Sequence, residues 1–165
     1  MITEAEIEAK FWKALADDRV AMLGLDSESG RTRPMTAQIL HAIHERGPIW
    51  FFSVKGTDLT DMLDTEQRAV MQFSAKGHEL FASVQGTLAL DNDRAMIDRL
   101  WNRFVAAWYE GGRDDPRLAL LRFEPDHAQV WLNDSSLFAG VKLLLGRDPK
   151  AEYRDKVAEL QLGRH

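Results

Sequence analysis

The sequence predicts a mainly β fold of the α+β type, an antiparallel β-barrel with flanking helices and a helical C-terminal tail. Three observations carry that expectation. Residues 80–90, LFASVQGTLAL, alternate between two sets of side chains with a period of two, the pattern of a long half-buried strand. Residues 49–54, IWFFSV, are apolar on both pleat faces, as in a strand with neighbours packed on either side. Turns of hairpin length outnumber segments long enough for a crossover helix, which favours antiparallel pairing over a doubly wound sheet.

In chain order, Thr3 followed by Glu6 fits a capping box, and Ile7, Phe11 and Leu15 form a helical stripe, so a first helix is expected near residues 3–16. Residues 19–25, RVAMLGL, make a short apolar strand, and SESG turns the chain into a second strand containing RTRPMTAQ at 31–38. Leu59, Met62 and Leu63 stand at i, i+3 and i+4 behind Thr57 and Asp58, both able to cap a short helix. Ala69 to Ser74 is another strand. Asp91 or Asn92 caps a second amphipathic helix, on which Ile97, Trp101, Phe104 and Trp108 recur at helical spacing before EGGRDDP breaks the pattern. LALLRF and AQVWL read as two strands separated by EPDH. From Ser136 onward the tail reads as helical, with Tyr153, Val157 and Leu160 on one face. The expected organisation is one domain over residues 1–134, with 135–165 as a helical extension packed on it.

With 165 residues, 45% hydrophobic and 28% charged, the chain is long enough for one real core and too apolar for wholesale disorder. Its net charge of −5 argues against nucleic acid or an anionic membrane as the main partner, so an anionic ligand must be met by local cations. The absence of cysteine excludes disulfides, thiolate chemistry, iron–sulfur clusters and cysteine-based zinc sites. The first ten residues, MITEAEIEAK, carry three glutamates and no apolar run, so neither a secretory signal nor a membrane anchor is expected and the cytoplasm is the expected location.

Arg33-Pro34 is the most informative dipeptide. Proline donates no ladder hydrogen bond, so it marks a strand edge, start or bulge and leaves nearby backbone free to meet a ligand. The arginine fork suits a phosphate bidentately, the alternative being an ordinary solvated strand end. His41 and His44 fall on opposite faces if they lie on a strand, so a shared metal is not expected. His78 and His127 stand at turn-like positions. No Gly-rich phosphate loop and no G-x-S-x-G elbow is present, and Asp17-Asp18 and Asp114-Asp115 read as solvated charge. Trp101 and Trp108, at helical spacing, read as core. Trp131 shares a face with Gln129, opposite Ala128, Val130 and Leu132, which exposes a large aromatic unless a partner covers it.

The order of these pieces resembles the general stress protein type of FMN-binding split barrel, related to pyridoxamine 5′-phosphate oxidase. RPMTAQ at 33–38, IWFFS at 49–53, SVQGT at 83–87, DNDRAMIDRLW at 91–101, AAWYEGGRDDPRLALLRF at 106–123 and AQVWL at 128–132 carry the resemblance. It implies a six-stranded antiparallel split barrel that forms a homodimer with flavin at the subunit interface. It also implies cofactor-binding roles for Arg33, Pro34, Met35 and Thr36, then Trp50, Phe51, Phe52 and Ser53, with Trp108 and Trp131 close to the site from the partner subunit. FMN is the implied cofactor, with FAD or no flavin as the alternatives, and NAD(P)H the implied electron donor.

The family places a lysine, often after a serine, at the start of the short helix after W-F-F-[ST]; here Asp58-Leu59 stand there, and Lys55 and Thr57 are the residues able to compensate. The expected activity is that of a flavin-dependent oxidoreductase of unknown substrate, with no catalytic acid or base identifiable. The alternative is a non-catalytic barrel dimer that has lost tight flavin binding and serves as a sensor or binding module. A third reading swaps the ligand to haem, through His41 or His44, or to a deazaflavin.

Overall fold

The computed structural model describes residues 2–133 and 157–163, within which seven strands form one antiparallel sheet. Helix α1 (Glu4–Asp18) opens the chain with the capping box read from its sequence: Thr3 accepts from the Glu6 N–H, and Glu6 accepts from the Thr3 N–H. Arg19, at φ 63°, ends it in the left-handed conformation and donates its N–H to Leu15. Strands β1 (Val20–Leu25) and β2 (Arg33–Gln38) form a hairpin, followed by β3 (Ile49–Val54) and the short helix α2 (Asp58–Asp61). Strands β4 (Gln67–Ser74) and β5 (Leu80–Leu90) come next, then helices α3 (Arg94–Leu100) and α4 (Arg103–Ala106). The long β6 (Leu118–Leu132) and β7 (Val157–Gln161) complete the order β3-β2-β1-β4-β5-β6-β7.

Closure comes from β6. One of its edges pairs with β5 from end to end, while Leu118 to Phe123 pair on the other edge with β3, so the first six strands make a barrel. Beyond that point the same edge is taken by β7, through His127 to Trp131. The changeover falls at a bulge: Gln85 faces His127 and Gly86 faces Pro125, so Asp126 is the extra residue. Pro125, with no N–H to donate, is at home there. Asp126 accepts the Leu162 N–H on its carbonyl at 2.9 Å and meets Arg68 with its carboxylate at 2.5 Å.

The interior is apolar. Phe11, Trp12 and Leu15 of α1 join Leu23, Phe51, Met71 and Phe123 in the main core. A second core lies outside the barrel, where Trp50, Leu118 and Leu120, on the outward faces of β3 and β6, are covered by Ile97, Leu100, Val105 and Tyr109. IWFFSV is thus apolar on both faces because the barrel interior receives Ile49 and Phe51 and the helical cover receives Trp50.

Several expectations are corrected. EPDH is not a turn: β6 runs through it, because β5 pairs along it on one edge, with β3 ending at Phe123 and β7 beginning at His127 on the other. His127 therefore lies on a strand, with Nε2 at 2.7 Å from Glu159. The expected second helix is two. Asp93 caps α3 through the Met96 N–H, and Asn102 caps α4 by accepting from Phe104 and Val105 at 2.9 and 3.0 Å, which favours a new start over continuation. Phe104 and Trp108 are consequently turned outward, 70% and 75% exposed, instead of joining the core. Asp91 and Asn92, expected as caps, tie to β6: Asn92 bridges the Leu118 carbonyl and the Leu120 N–H, and Asp91 pairs with Arg122.

The expectation of helix is also corrected over residues 157–161. Residues 157–161 form β7, with Ala158, Leu160 and Leu162 buried in alternation with exposed Glu159 and Gln161. Val157 and Leu160 share a face only on a helix, whereas Ala158, Leu160 and Leu162 alternate as on a strand, and the open edge of β6 decides for the strand. Ser136 and Tyr153 lie outside the described residues. His41 and His44 sit in the loop over residues 39–48, not on a strand, with the His41 ring edge-on to Trp12 at 4.4 Å. No helix of the described residues is long and apolar enough to cross a membrane.

At the bulge, a Cβ on Gly86 would stand 2.2 Å from the Glu124 carbonyl oxygen, a backbone atom that cannot swing aside. Gly86→Ala is expected to destabilise the fold by about 2–3 kcal/mol in denaturant titration.

Candidate functional site

Strand β2 is paired along one edge and only partly along the other. Arg33 to Thr36 register with Leu23 to Val20 of β1, whereas β3 meets only Ala37 and Gln38, through Phe51 and Trp50. Pro34 falls in the stretch without a β3 partner, where its missing donor costs nothing. The second half of β3, Phe52 to Val54, pairs with β6 alone. β2 and β3 therefore diverge, leaving backbone of β2 unpaired.

Beside this opening, the turn after β1 and the start of α2 face each other across a cavity of about 560 Å³ lined by Ser27, Glu28, Arg31, Asp58, Asp61 and Met62, among others. The turn comprises a 3-10 segment at Asp26–Glu28 and left-handed Ser29 and Gly30, at φ 57° and 88°. It lies close over β1, since a Cβ on Gly24 would stand 2.1 Å from the Arg31 carbonyl oxygen.

Arg33 and Glu28 staple this turn. Glu28 Oε1 accepts from Arg33 Nη1 at 2.7 Å and from the Leu25 N–H at 2.9 Å, while Oε2 pairs with Arg33 Nη2. Arg33 Nη1 also donates to the Leu23 carbonyl at 3.3 Å. The Glu28 side chain is only 8% exposed, and the hydrogen-bonded Arg33 guanidinium holds its carboxyl below the usual range. Glu28 is accordingly charged at neutral pH. Arg33 also senses the charge of Asp58, which places it next to α2.

The other candidates divide. Pro34 and Thr36 are exposed on the outer barrel face, paired across with Met22 and Val20, themselves exposed; Met35 packs against the main core. Trp50 and Phe51 are buried in the two cores, so their side chains are closed to a ligand. Phe52 is half-buried, edge-on to Trp101 and Tyr109. Lys55 is exposed and, among the described residues, has no carboxylate within ion-pair distance; its N–H donates to the Arg117 carbonyl at 2.7 Å. Thr57 caps α2, its Oγ1 accepting from the Thr60 N–H at 3.3 Å.

Trp108 and Trp131 are not brought to Arg33. Trp108 projects from the turn after α4, and Trp131 lies between Phe81 and Val157 on the outer face, four strands from Thr36. At about 4.8 Å per strand that is about 19 Å along the barrel wall. Within one chain the arrangement thus offers a free strand edge and an arginine fork. It is a binding geometry.

Glu28, Arg31 and Tyr109 were not singled out from the sequence. The signal for Glu28 was a carboxylate in the turn of a predicted hairpin, opposite in charge to Arg33 on the strand that follows. Tyr109 lies in the second core and donates its hydroxyl to the Ser53 carbonyl at 2.5 Å, fixing the helical cover to β3. Burial, with the Asp115 charge, pushes its phenol up to about 12. Asp115 is held below the usual carboxylate range by the Arg117 guanidinium and by the Arg117 and Gly111 N–H groups.

Residues 6–148 match the model of a family described as pyridoxamine 5′-phosphate oxidase like. A protein described as a general stress family member from Xanthomonas campestris pv. campestris is 58% identical over 82% of this chain and 93% of that one, with a TM-score of 0.76. The general stress FMN/FAD binding protein of Xanthomonas citri is 59% identical over 79% of this chain and 92% of its own, with a TM-score of 0.74. A protein described as general stress protein 26, from Jannaschia sp. CCS1, is 30% identical over 96% and 99% of the two chains, with a TM-score of 0.79. No curated protein matches the chain.

A raised phenol has a defined sign. The unfolded chain ionises at the ordinary tyrosine value of about 10, before the native Tyr109, so stability falls as pH rises from there towards 12. The expected signature is a tyrosinate absorbance step near pH 12 that is missing from Tyr109→Phe, together with a smaller alkaline loss of stability in that variant.

Proposed function

The chain belongs to the pyridoxamine 5′-phosphate oxidase-like family, and from that premise we propose that it is a flavin-binding protein of the general stress type, an FMN-dependent oxidoreductase working as a homodimer. The observation that carries the reading is the unpaired edge of β2 beside Arg33, in a chain 59% identical to a protein named for FMN/FAD binding. Arg33 supplies the fork for a phosphate, and the free backbone of Pro34 to Thr36 supplies polar groups for a ring edge. Lys55, on the connection into α2, is the second cation; it offsets Asp58, whose carboxylate at the start of that helix repels an anion. When bound, the flavin supplies the electron transfer.

The dimer reading is supported by the distribution of exposed apolar side chains. Val20, Met22 and Phe81 lie exposed on the outer sheet face, Phe104 on α4 and Trp108 in the turn after it. Two such patches on different parts of one chain suit a two-fold assembly in which each patch meets its counterpart on the partner. Trp108 and Trp131, remote from Arg33 within the chain, then approach the site from the second copy.

One observation favours a weaker, non-catalytic variant of the same reading. Arg33 is occupied by Glu28, and Asp58 adds negative charge beside it, which suits a sensor that takes up flavin only when flavin is abundant.

The purified protein, incubated with FMN and desalted, is expected to retain the visible flavin bands; a colourless protein overturns tight flavin binding and leaves the sensor variant. Arg33→Ala is expected to weaken FMN binding at least about tenfold in fluorescence titration. Unchanged affinity removes Arg33 from the site. Sedimentation should give a dimer, and a monomer that holds flavin stoichiometrically overturns the shared interface.

A further inference from the structure

The cation needed by the proposed flavin site already has both terminal nitrogens engaged. A carboxylate presents to a guanidinium the same pair of acceptor oxygens that a phosphate does, so Glu28 and a phosphate compete for one fork. Two anions do not share it: with Glu28 in place, an incoming phosphate would face this nearly buried carboxylate and the nearby Asp58 together. We propose that Glu28 is a resident surrogate for the flavin phosphate, and that loading is an exchange in which the phosphate takes Arg33 and Glu28 passes to Arg31. Resting as it does on Arg33 being the phosphate anchor, the exchange adds the step that controls access to that anchor.

Three features support the exchange. Glu28 is held by side-chain hydrogen bonds, to Arg33 and to the Leu25 N–H, at the end of a 3-10 segment of three residues whose neighbours Asp26, Ser27, Ser29 and Gly30 are exposed. A local rotation therefore releases it without disturbing a strand. Arg31 lines the same cavity, is exposed, and among the described residues has no carboxylate within ion-pair distance, while its charge already favours the ionised form of Glu28. The cavity of about 560 Å³ between the turn and α2 gives the carboxylate room to move.

The consequences are functional. Glu28 keeps the Arg33 guanidinium in a phosphate-binding orientation, and it competes with a phosphate for that fork while leaving a ligand without a phosphate unaffected. Glu28 thus determines how strongly the site distinguishes a phosphorylated flavin from riboflavin. Arg31 is a positioning residue, acting on the ligand through Glu28.

The test is fluorescence titration of FMN and of riboflavin into the full-length wild type, Glu28→Gln, Arg31→Ala, the double variant and Arg33→Ala. Glu28→Gln should bind FMN about tenfold more tightly with riboflavin unchanged, since an acceptor that keeps its shape but loses its charge yields the fork more readily. Arg31→Ala should weaken FMN several-fold in the wild type, by a factor of about 5, and far less in the Glu28→Gln background, the non-additivity of a coupled pair. If Arg33→Ala loses FMN while Glu28→Gln gains nothing, or gains equally for riboflavin, the exchange is overturned and the flavin reading stands. Equal effects of Arg31→Ala in both backgrounds make Arg31 a direct phosphate contact and also overturn it. If Arg33→Ala binds FMN normally, Arg33 is not the anchor and the exchange falls with it, while flavin binding stands; if the wild type itself binds no FMN, the flavin reading falls as well. Should Glu28→Gln fail to fold, Glu28→Asp, which shortens the reach of the carboxylate, must show the same selective gain at smaller size.

Discussion

The structure depends on one constraint, that the far edge of β6 serves two strands in succession. β3 uses its first part and β7 its last, and Pro125 with the extra Asp126 marks the changeover. The edge taken by β3 closes the barrel, and closure forces β3 outward from the start of β2, where only Ala37 and Gln38 remain paired. The opening beside Arg33 is thus the geometric counterpart of closure elsewhere. Gly86 makes the arrangement possible by letting the Glu124 carbonyl approach β5 more closely than any side chain would allow.

Outside the barrel, β3 and β6 present apolar side chains that no inner core can receive, and α3 and α4 exist in this position to cover them. The cover is anchored by polar contacts: Asn92 to the β6 backbone, Tyr109 to Ser53, and Asp115 to Arg117 and Gly111. Because Asn102 restarts the helix, the face that would have continued the buried stripe is instead presented to solvent as Phe104 and Trp108. The same local capping choice therefore completes one core and leaves an exposed apolar patch.

The charge around the opening follows a different logic from the cores. Few of these residues are needed for closure; they lie on a turn and on a helix of four residues. Arg33 is half-buried, and leaving such a guanidinium without a partner is unfavourable, which accounts for its pairing with Glu28. A binding site built from an internal ion pair differs from one built from a free cation: ligand affinity reports the difference between two anions.

Much of the barrel was legible in the residues themselves. Alternation over Leu80 to Leu90, the Thr3 and Thr57 caps and the two-faced apolar IWFFSV segment each express a local rule, and each element stands where that rule puts it. Pro34 signalled an unpaired edge for the same reason: a missing donor is a property of the residue, not of its surroundings. What local rules left open, tertiary contacts decided. EPDH contains turn-forming residues but is held extended by its pairing with β5, and Val157 to Gln161 suits helix or strand until the edge of β6 is offered to it. The partner of Arg33 was likewise open, because a carboxylate five residues away meets the fork only once the hairpin has formed. Composition, period and capping thus determined which segments were strands and helices and that an arginine stood at a broken edge; only the closed sheet, which fixes long-range pairing and the environment of each charge, decided what that arginine holds.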